Sequence, residues 1–222
     1  MHAQPLNVFI GFDSHETVAY HVAAHSLMTQ SSVPVTICPI IRGQVPLNRE
    51  RQPNESTEFS FSRFLVPWLM GYQGKAVFMD CDVLVDCDIK ELFDAHYMDH
   101  AVSVVQHDYT PKTKTKFLGN EQSVYPKKNW SSVMVFNCGH PDCHKLTPES
   151  VSRESGAYLH QFQWTDAVGS LDPAYNHLVG EYDDDVAKIY HYTLGTPCFR
   201  EYRDCDKSGL WHKSHREMNS HW

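Results

Sequence analysis

No apolar run in these 222 residues approaches the roughly 20 that a membrane-spanning helix needs. No secretory h-region opens the chain either: Met1 to Pro5 is short and polar, and Leu6 to Phe12 has the character of a strand. Positive charge is scarce. Nineteen Lys and Arg stand against 27 Asp and Glu, a formal net charge of -8, which excludes a phosphate-backbone partner spread over the surface and with it a nucleic-acid role. Internal repeats and low-complexity linkers are missing, so residues 1–222 are expected to form one domain. Cysteine is present without a pattern. Cys38, Cys81, Cys87, Cys138, Cys143, Cys198 and Cys205 are scattered and odd in number, which argues against a disulfide framework and for reduced thiols in a cytoplasm. With 41% hydrophobic and 21% charged residues the chain is globular rather than disordered. A chain of this length buries roughly 70% of its unfolded surface and needs no staples.

What is present starts with Val8-Phe9-Ile10-Gly11-Phe12, a short apolar run ending at Asp13-Ser14, which has the residue types of a helix cap. Val18, Val22, Ala23 and Leu27 then predict one face of a helix, and Val35 to Ile41 a second strand. A β-α-β opening argues for a parallel sheet with crossover helices. The polar stretch 43–59 is a loop. Phe61, Phe64, Leu65, Trp68, Leu69 and Tyr72 recur at helical spacing, with Pro67 as a kink or boundary and Gly71 and Gly74 as closing residues. Ala76-Val77-Phe78-Met79 carries no polar residue, as expected of a central strand covered on both faces. Further elements are a helix at 90–96, strands at 101–105 and 133–136, helical spacing over 155–168, and a late strand from Ala187 to Tyr190 ending in His191. Residues 106–128 are basic and turn-rich, with Lys112, Lys114, Lys116, Lys127 and Lys128; the tail from about Asp204 shows no period and is expected to be irregular.

The buried run Ala76–Met79 leads directly into Asp80-Cys81-Asp82. Carboxylates at i and i+2 beyond a strand's carboxyl end can converge on one hard cation, and ligands of open α/β sheets bind at that end. The spacing suits a pair of solvated loop acids equally well. Asp86 and Asp88 extend the acidic series, but the apolar Val83-Leu84-Val85 and the missing glycine at the sixth position argue against a calcium loop; the two are expected to cap the next helix.

Context adds to the dipeptide spacing. Phe61-Ser62-Arg63-Phe64-Leu65-Val66-Pro67-Trp68-Leu69 followed by Lys75 to Val85 resembles glycosyltransferase family 8, the glycogenin and bacterial galactosyltransferase group. In that family an Arg-bearing helix precedes the strand that delivers an Asp-x-Asp. Leu171-Asp172-Pro173-Ala174-Tyr175-Asn176 is similar to the family's Leu-Pro-x-x-Tyr-Asn segment, and Ile189 to Pro197 to its late His-x-x-Gly-x-Lys-Pro motif, with different spacing. The ordered matches span residues 8–199. The resemblance implies an α/β GT-A fold, Rossmann-like, with a mixed but mainly parallel sheet flanked by helices. It implies a metal held by Asp80, Asp82 and His191, and a UDP-sugar donor whose hexose passes to a hydroxyl acceptor with retention. It also implies nucleotide contacts at Phe12, Asp13 and His15, further donor contacts at Cys81, Gly195 and Thr196, and Arg63 beside the donor sugar or diphosphate. An acidic protein that binds a diphosphate needs a local cation, and a mixed oxygen and nitrogen shell suits Mn²⁺ better than Mg²⁺.

The chain departs from the family at three places. Trp130-Ser131-Ser132-Val133 stands for an Asn-Ala-Gly-Val run, Trp164-Thr165-Asp166 for an Asp-Gln-Asp, and Thr196 for the lysine before Pro197. Asp166 is the one acid retained in its segment, and is expected to reach sugar or acceptor hydroxyls. Trp130 and Trp164 could stack on a sugar face or pack in the core. Rival readings are a zinc module at Cys138-Gly139-His140-Pro141-Asp142-Cys143-His144, a nucleotidyltransferase on a related fold, which lacks its Gly-rich basic loop here, and a non-catalytic carbohydrate-binding protein. The basic loop and the tail from Trp211 to Arg216 leave room for acceptor or membrane-surface contacts. The acceptor itself has no signature.

Overall fold

A computed structural model describes residues 4–52, 55–115, 119, 125–183 and 186–220. Lys116, part of the basic stretch, lies outside them. In chain order the elements are β1 (Leu6–Gly11), α1 (Thr17–Gln30), β2 (Val35–Ile40), α2 (Val66–Leu69), β3 (Lys75–Met79), β4 (Val83–Val85), α3 (Ile89–Asp94), β5 (Val102–Val104), β6 (Val133–Asn137), α4 (Pro148–Arg153), α5 (Gly156–His160), β7 (Val168–Ser170), β8 (His177–Leu178), β9 (Ile189–His191) and α6 (Ser208–Met218).

Six strands form one sheet in the order β2-β1-β3-β6-β5-β7. The pairs β1–β2, β1–β3 and β5–β7 are parallel, and only β6 runs against the rest. The fold is therefore α/β with a mixed, mainly parallel sheet flanked by helices. Ala76, Val77, Phe78 and Met79 of β3 are completely buried, which is why that four-residue run carries no polar residue. A second sheet of three short strands, β4-β9-β8, adjoins the first; β4 pairs antiparallel with β9, and β8 parallel with β9.

Helix α1 buries Ala19, Tyr20, Val22, Ala23 and Leu27, whereas Val18, expected on that face, is exposed. The predicted 61–72 helix is a 3₁₀ turn, Ser62–Leu65, running into α2 with Pro67 in its first turn, where the missing N–H costs nothing. Gly71 and Gly74 follow at φ of 59° and 68°, a region open to glycine without strain, and turn the chain into β3.

Two expectations are overturned. The helical spacing over 155–168 resolves into the short α5 and the edge strand β7. The tail from Asp204 is not irregular: α6 covers Ser208–Met218 and buries Trp211 against Val22, Leu84, Val179, Tyr190 and Tyr192, a small second core beneath β4 and β9. The Tyr192 hydroxyl donates to the Lys207 carbonyl at 3.0 Å, and His25 Nδ1 lies 3.1 Å from Ser214 Oγ. Among the described residues no helix is long and apolar enough to cross a membrane. All seven cysteines are free thiols.

Candidate functional site

Asp80-Cys81-Asp82 is the three-residue passage between the sheets: β3 ends at Met79 and β4 begins at Val83. Both ends of the passage are pinned. Asp80 N donates to the Ser132 carbonyl at 2.9 Å, and Asp82 O accepts from Tyr192 N at 2.9 Å. Asp80 and Asp82 turn their carboxylates to one cluster, which Cys81 does not join. Cys81 is completely buried, with its Sγ 3.8 Å from Glu16 Oε2. Burial, reinforced by the neighbouring carboxylates of Glu16, Asp82, Asp80 and Asp13, pushes its thiol well above the usual range. It is a protonated core thiol, so only its backbone is open to a ligand.

The β4–β9 register sets Val83 opposite His191, which brings the imidazole beside Asp82. His191 Nε2 lies 3.3 Å from Asp82 Oδ1. The ligating atoms of Asp80, Asp82 and His191 all fall within 4.8 Å of one another, and none of the three residues is more than 8% exposed. On its far side His191 Nδ1 sits 3.0 Å from Asn176 Oδ1.

Arg63 reaches the same place from the 3₁₀ turn before α2. Its Nη1 lies 2.8 Å from Asp80 Oδ1 and donates to the Ser131 carbonyl at 2.8 Å. The guanidinium carbon stands 5.1 Å from the Phe59 ring centroid and 5.0 Å from that of Phe78, so the cation is packed as well as paired. Ser131 Oγ in turn lies 2.8 Å from His160 Nδ1. Desolvation and then the Arg63 charge hold the His160 imidazole far below the ordinary histidine pKa, so it stays neutral. His160 was not singled out by the sequence, where it is one histidine of 15. His107 Nδ1 lies 2.8 Å from the Tyr182 hydroxyl, and burial followed by the neighbouring His191 and His177 pushes its pKa down to about 3.

At the carboxyl end of β1, Asp13 is buried and accepts from His15 N at 2.9 Å and from Glu58 N at 3.0 Å. Its carboxylate also lies 3.0 Å from His15 Nδ1. The Asp13 cap thus fastens the 43–59 loop to the turn after β1. Half of the His15 side chain remains open to solvent, and Phe12 makes an edge contact with Tyr20 at 5.5 Å. Beyond β9, Gly195 N donates to the Tyr192 carbonyl at 2.8 Å, and Thr196 is buried with Oγ1 2.8 Å from Cys198 Sγ.

Asp166 is not brought to this cluster. Val168 pairs with Val102, Val102 with Phe136 and Phe136 with Ala76, so Val168 is level with Ala76 at the amino end of β3. Asp166, exposed two residues earlier, is level with Gly74 and therefore roughly 20 Å along the strand direction from Asp80, at ~3.3 Å per residue. The expectation that it reaches sugar or acceptor hydroxyls beside this cluster does not fit that placement: Asp166 lies toward the amino end of the strands. Trp164 is a core residue, and half-buried Trp130 donates from Nε1 to the His107 carbonyl at 2.8 Å. Asp88 caps α3 as expected, accepting from Lys90 N at 3.1 Å. The Cys138–His144 segment does not assemble a metal shell among the described residues. Cys143 Sγ is spent on the Asn137 carbonyl at 3.2 Å, and His144 stacks on Tyr72 with centroids 4.3 Å apart.

Known proteins share this chain's family profile and its fold. The glycosyl transferase family 8 profile matches residues 12–152. Protein CDI of Arabidopsis thaliana is 46% identical over 228 aligned residues, covering 97% of this chain and 88% of the plant protein. Among solved structures, the galactosyltransferase LgtC in complex with donor and acceptor sugar analogs superposes with a TM-score of 0.61 at 13% identity, over 98% of each chain. The bifunctional glycosyltransferase WbbM gives a TM-score of 0.67 at 14% identity, over 98% of this chain, which spans about half (52%) of the WbbM chain. Mouse xyloside xylosyltransferase 1 gives 0.57 at 13% identity, over 86% of this chain and 98% of its own. These structural likenesses bear on the fold, which is that of GT-A glycosyltransferases.

Proposed function

The chain belongs to glycosyl transferase family 8 and is a glycosyltransferase, and on that premise we propose that it moves a hexose from a UDP-sugar to a hydroxyl acceptor, with a divalent cation at Asp80, Asp82 and His191 and with retention at the anomeric carbon. The observation that carries the reading is the convergence of two carboxylates and one imidazole within 4.8 Å, beyond the carboxyl end of the central strand.

The donor set fits the cation. Asp82 Oδ1 and His191 Nε2 lie only 3.3 Å apart, and a cation shared between them satisfies two electron-rich atoms at once. Two oxygens and one nitrogen favour Mn²⁺, with Mg²⁺ as the weaker fit. When bound, the ion supplies positive charge against the departing diphosphate. The protein's own residues do the rest. Arg63, held by Asp80 and the Ser131 carbonyl, adds a fixed cation on the same side. The turn after β1, with Phe12, Asp13 and His15, receives base and ribose. The backbone at Cys81 and the Gly195-Thr196 segment line the diphosphate. The acceptor hydroxyl attacks the anomeric carbon as its bond to the diphosphate breaks, through an oxocarbenium-like state, and the hydroxyl proton passes to the departing diphosphate oxygen. We place this chemistry in a single catalytic domain and, given seven free thiols, in a reducing cytoplasm.

The test is a melting series with UDP alone, Mn²⁺ alone and both, followed by a screen of UDP-sugars for Mn²⁺-dependent hydrolysis. Ligands binding only the folded state raise its stability by about 2.7 kcal/mol at one hundred times Kd. UDP and Mn²⁺ together are expected to stabilise more than either alone, and Asp82→Ala to lose both the synergy and the hydrolysis. A carbohydrate-binding protein would instead respond to sugar without nucleotide. Melts unmoved by UDP with Mn²⁺, and full hydrolysis in Asp82→Ala, would each overturn the reading.

A further inference from the structure

Asn176 is completely buried and ends the 3₁₀ turn Pro173–Asn176, directly before β8. Because β8 lies parallel beside β9, with Leu178 opposite His191, the Asn176 amide is carried to the back of the His191 ring. Its Nδ2 donates to the Asn129 carbonyl at 3.1 Å and to Ser132 Oγ at 2.9 Å, and its Oδ1 faces His191 Nδ1 at 3.0 Å. The Asn129 carbonyl can only accept, so it decides which way round the amide sits. With the NH₂ group committed there, the Oδ1 side is left for the imidazole. An amide oxygen can only accept, so His191 Nδ1 has to donate.

We propose that Asn176 is a positioning residue that fixes His191 in its Nδ1-protonated form and so aims the Nε2 lone pair at the space shared with Asp82. A metal-bound histidine gives one ring nitrogen to the ion and donates a proton from the other, and the partner of that proton sets both tautomer and ring orientation. Free to choose, the ring could present Nε2–H to Asp82 at 3.3 Å, forming a hydrogen bond that a cation would have to break. Asn176 removes that competing state before any ligand arrives. The anchor is distant in sequence, since Ser132 is 44 residues from Asn176 and His191 is 15. The amide therefore ties the start of β6 to the end of β9 as it orients the ring.

The proposal rests on His191 being a metal ligand, and two readouts separate its failure from failure of that reading. The first is the ¹⁵N spectrum of the metal-free protein, with the ring assigned by His191→Gln. Nδ1 is expected to carry a proton in the wild type; an unprotonated Nδ1 overturns the proposal whatever the metal does. The second is Mn²⁺ affinity by titration calorimetry, without nucleotide. Asn176→Leu is expected to weaken binding by roughly 10–100-fold, the usual cost of losing such a partner. Asn176→Asp keeps an acceptor for Nδ1–H but cannot donate to Asn129 or Ser132, and is expected to retain most of the affinity. Equal losses in the two variants would mean that the amide acts only as a scaffold tie, and unchanged affinity in Asn176→Leu would mean that it does not act at all; either result overturns the proposal. A wild type that binds no Mn²⁺ sinks the metal reading instead. Should Asn176→Leu fail to fold, the wild-type spectrum and the Asn176→Asp titration still decide.

Discussion

Arg63 Nη1 lies 2.8 Å from Asp80 Oδ1, and the two side chains are only 6% and 12% exposed. A charge pair this enclosed is costly to break from one side, because the survivor keeps its desolvation penalty without its partner; such losses run to about 3–5 kcal/mol. Arg63→Met should therefore destabilise the metal-free protein by an amount in that range, read from denaturant unfolding. Added Mn²⁺ should raise the melting temperature of Arg63→Met more than that of the wild type, since the ion takes over the neutralisation of Asp80. An equal response in both proteins would mean that the ion does not contact Asp80.

Gly11 owes its identity to a ring. A Cβ built there would fall 2.3 Å from a carbon of Phe59, which is buried and lies 5.1 Å beneath the Arg63 guanidinium. Gly11→Ala has to push Phe59 off the end of β1, and overpacking of this kind costs about 1–3 kcal/mol. The same substitution in a Phe59→Leu background should cost clearly less, since the ring that it meets is gone. A double-mutant cycle on the unfolding free energy measures the difference; strict additivity would show that the two residues do not compete for space.

The legible parts of the molecule were those written in local pattern. Ala76 to Met79 could be recognised as a covered strand because nothing in it is polar, and Asp80 and Asp82 stood out by following it, whereas His191 entered through the family resemblance. The structure does draw those three together. Asp166 failed for a geometric reason: order along the chain does not say at which end of a strand a loop lies, and the β5–β7 pairing carries it to the far edge. Helix α6 escaped because its buried face is little more than Trp211 and Ser214, too sparse for a periodicity. Strand β7 is three residues long, below the length at which strand and helix patterns separate. His160 had no local signal at all, and Asn176 only its place at the end of the Leu171–Asn176 family segment, since the partners that give them meaning are distant in sequence.

Acid should loosen the protein through His96. This imidazole is only 3% exposed, with Nδ1 2.8 Å from Ser103 Oγ, and burial, then the neighbouring Lys75 and His100, pushes its pKa down to about 4. Its folded pKa lies below its unfolded one, so between the two values the unfolded chain binds a proton that the folded chain refuses. Stability then rises with pH across that window; it is complete above about pH 6.5 and lost as pH falls toward 4. Over such a window one histidine accounts for about 3 kcal/mol. His96→Gln should flatten this part of the stability profile by one proton's worth of slope, measured by urea unfolding at a series of pH values. An unchanged slope would show that His96 is protonated in the folded state or that other groups carry the effect.

Asp166 offers the sharpest contrast between position in the sequence and position in space. It sits in the chain where the family's acidic segment is expected, yet the pairing chain from Val168 through Val102 and Phe136 to Ala76 sets it at the amino edge of the sheet. Its carboxylate is exposed there, among residues that serve the β5 and β7 starts: Thr165 Oγ1 donates to Asp142 Oδ2 at 2.7 Å and accepts from Ala167 N at 3.0 Å. Exposed sites outside such contacts tolerate substitution within about 0.5 kcal/mol. Asp166→Asn should therefore leave melting temperature, Mn²⁺ affinity and kcat/KM for donor hydrolysis unchanged. Ser131→Val, by contrast, removes the hydroxyl that meets His160 while keeping the backbone carbonyl that holds Arg63, and should lower kcat/KM with little loss of Mn²⁺ binding. Should Asp166→Asn prove the damaging change and Ser131→Val the silent one, the reacting groups would have to lie at the opposite edge of the sheet from Asp80.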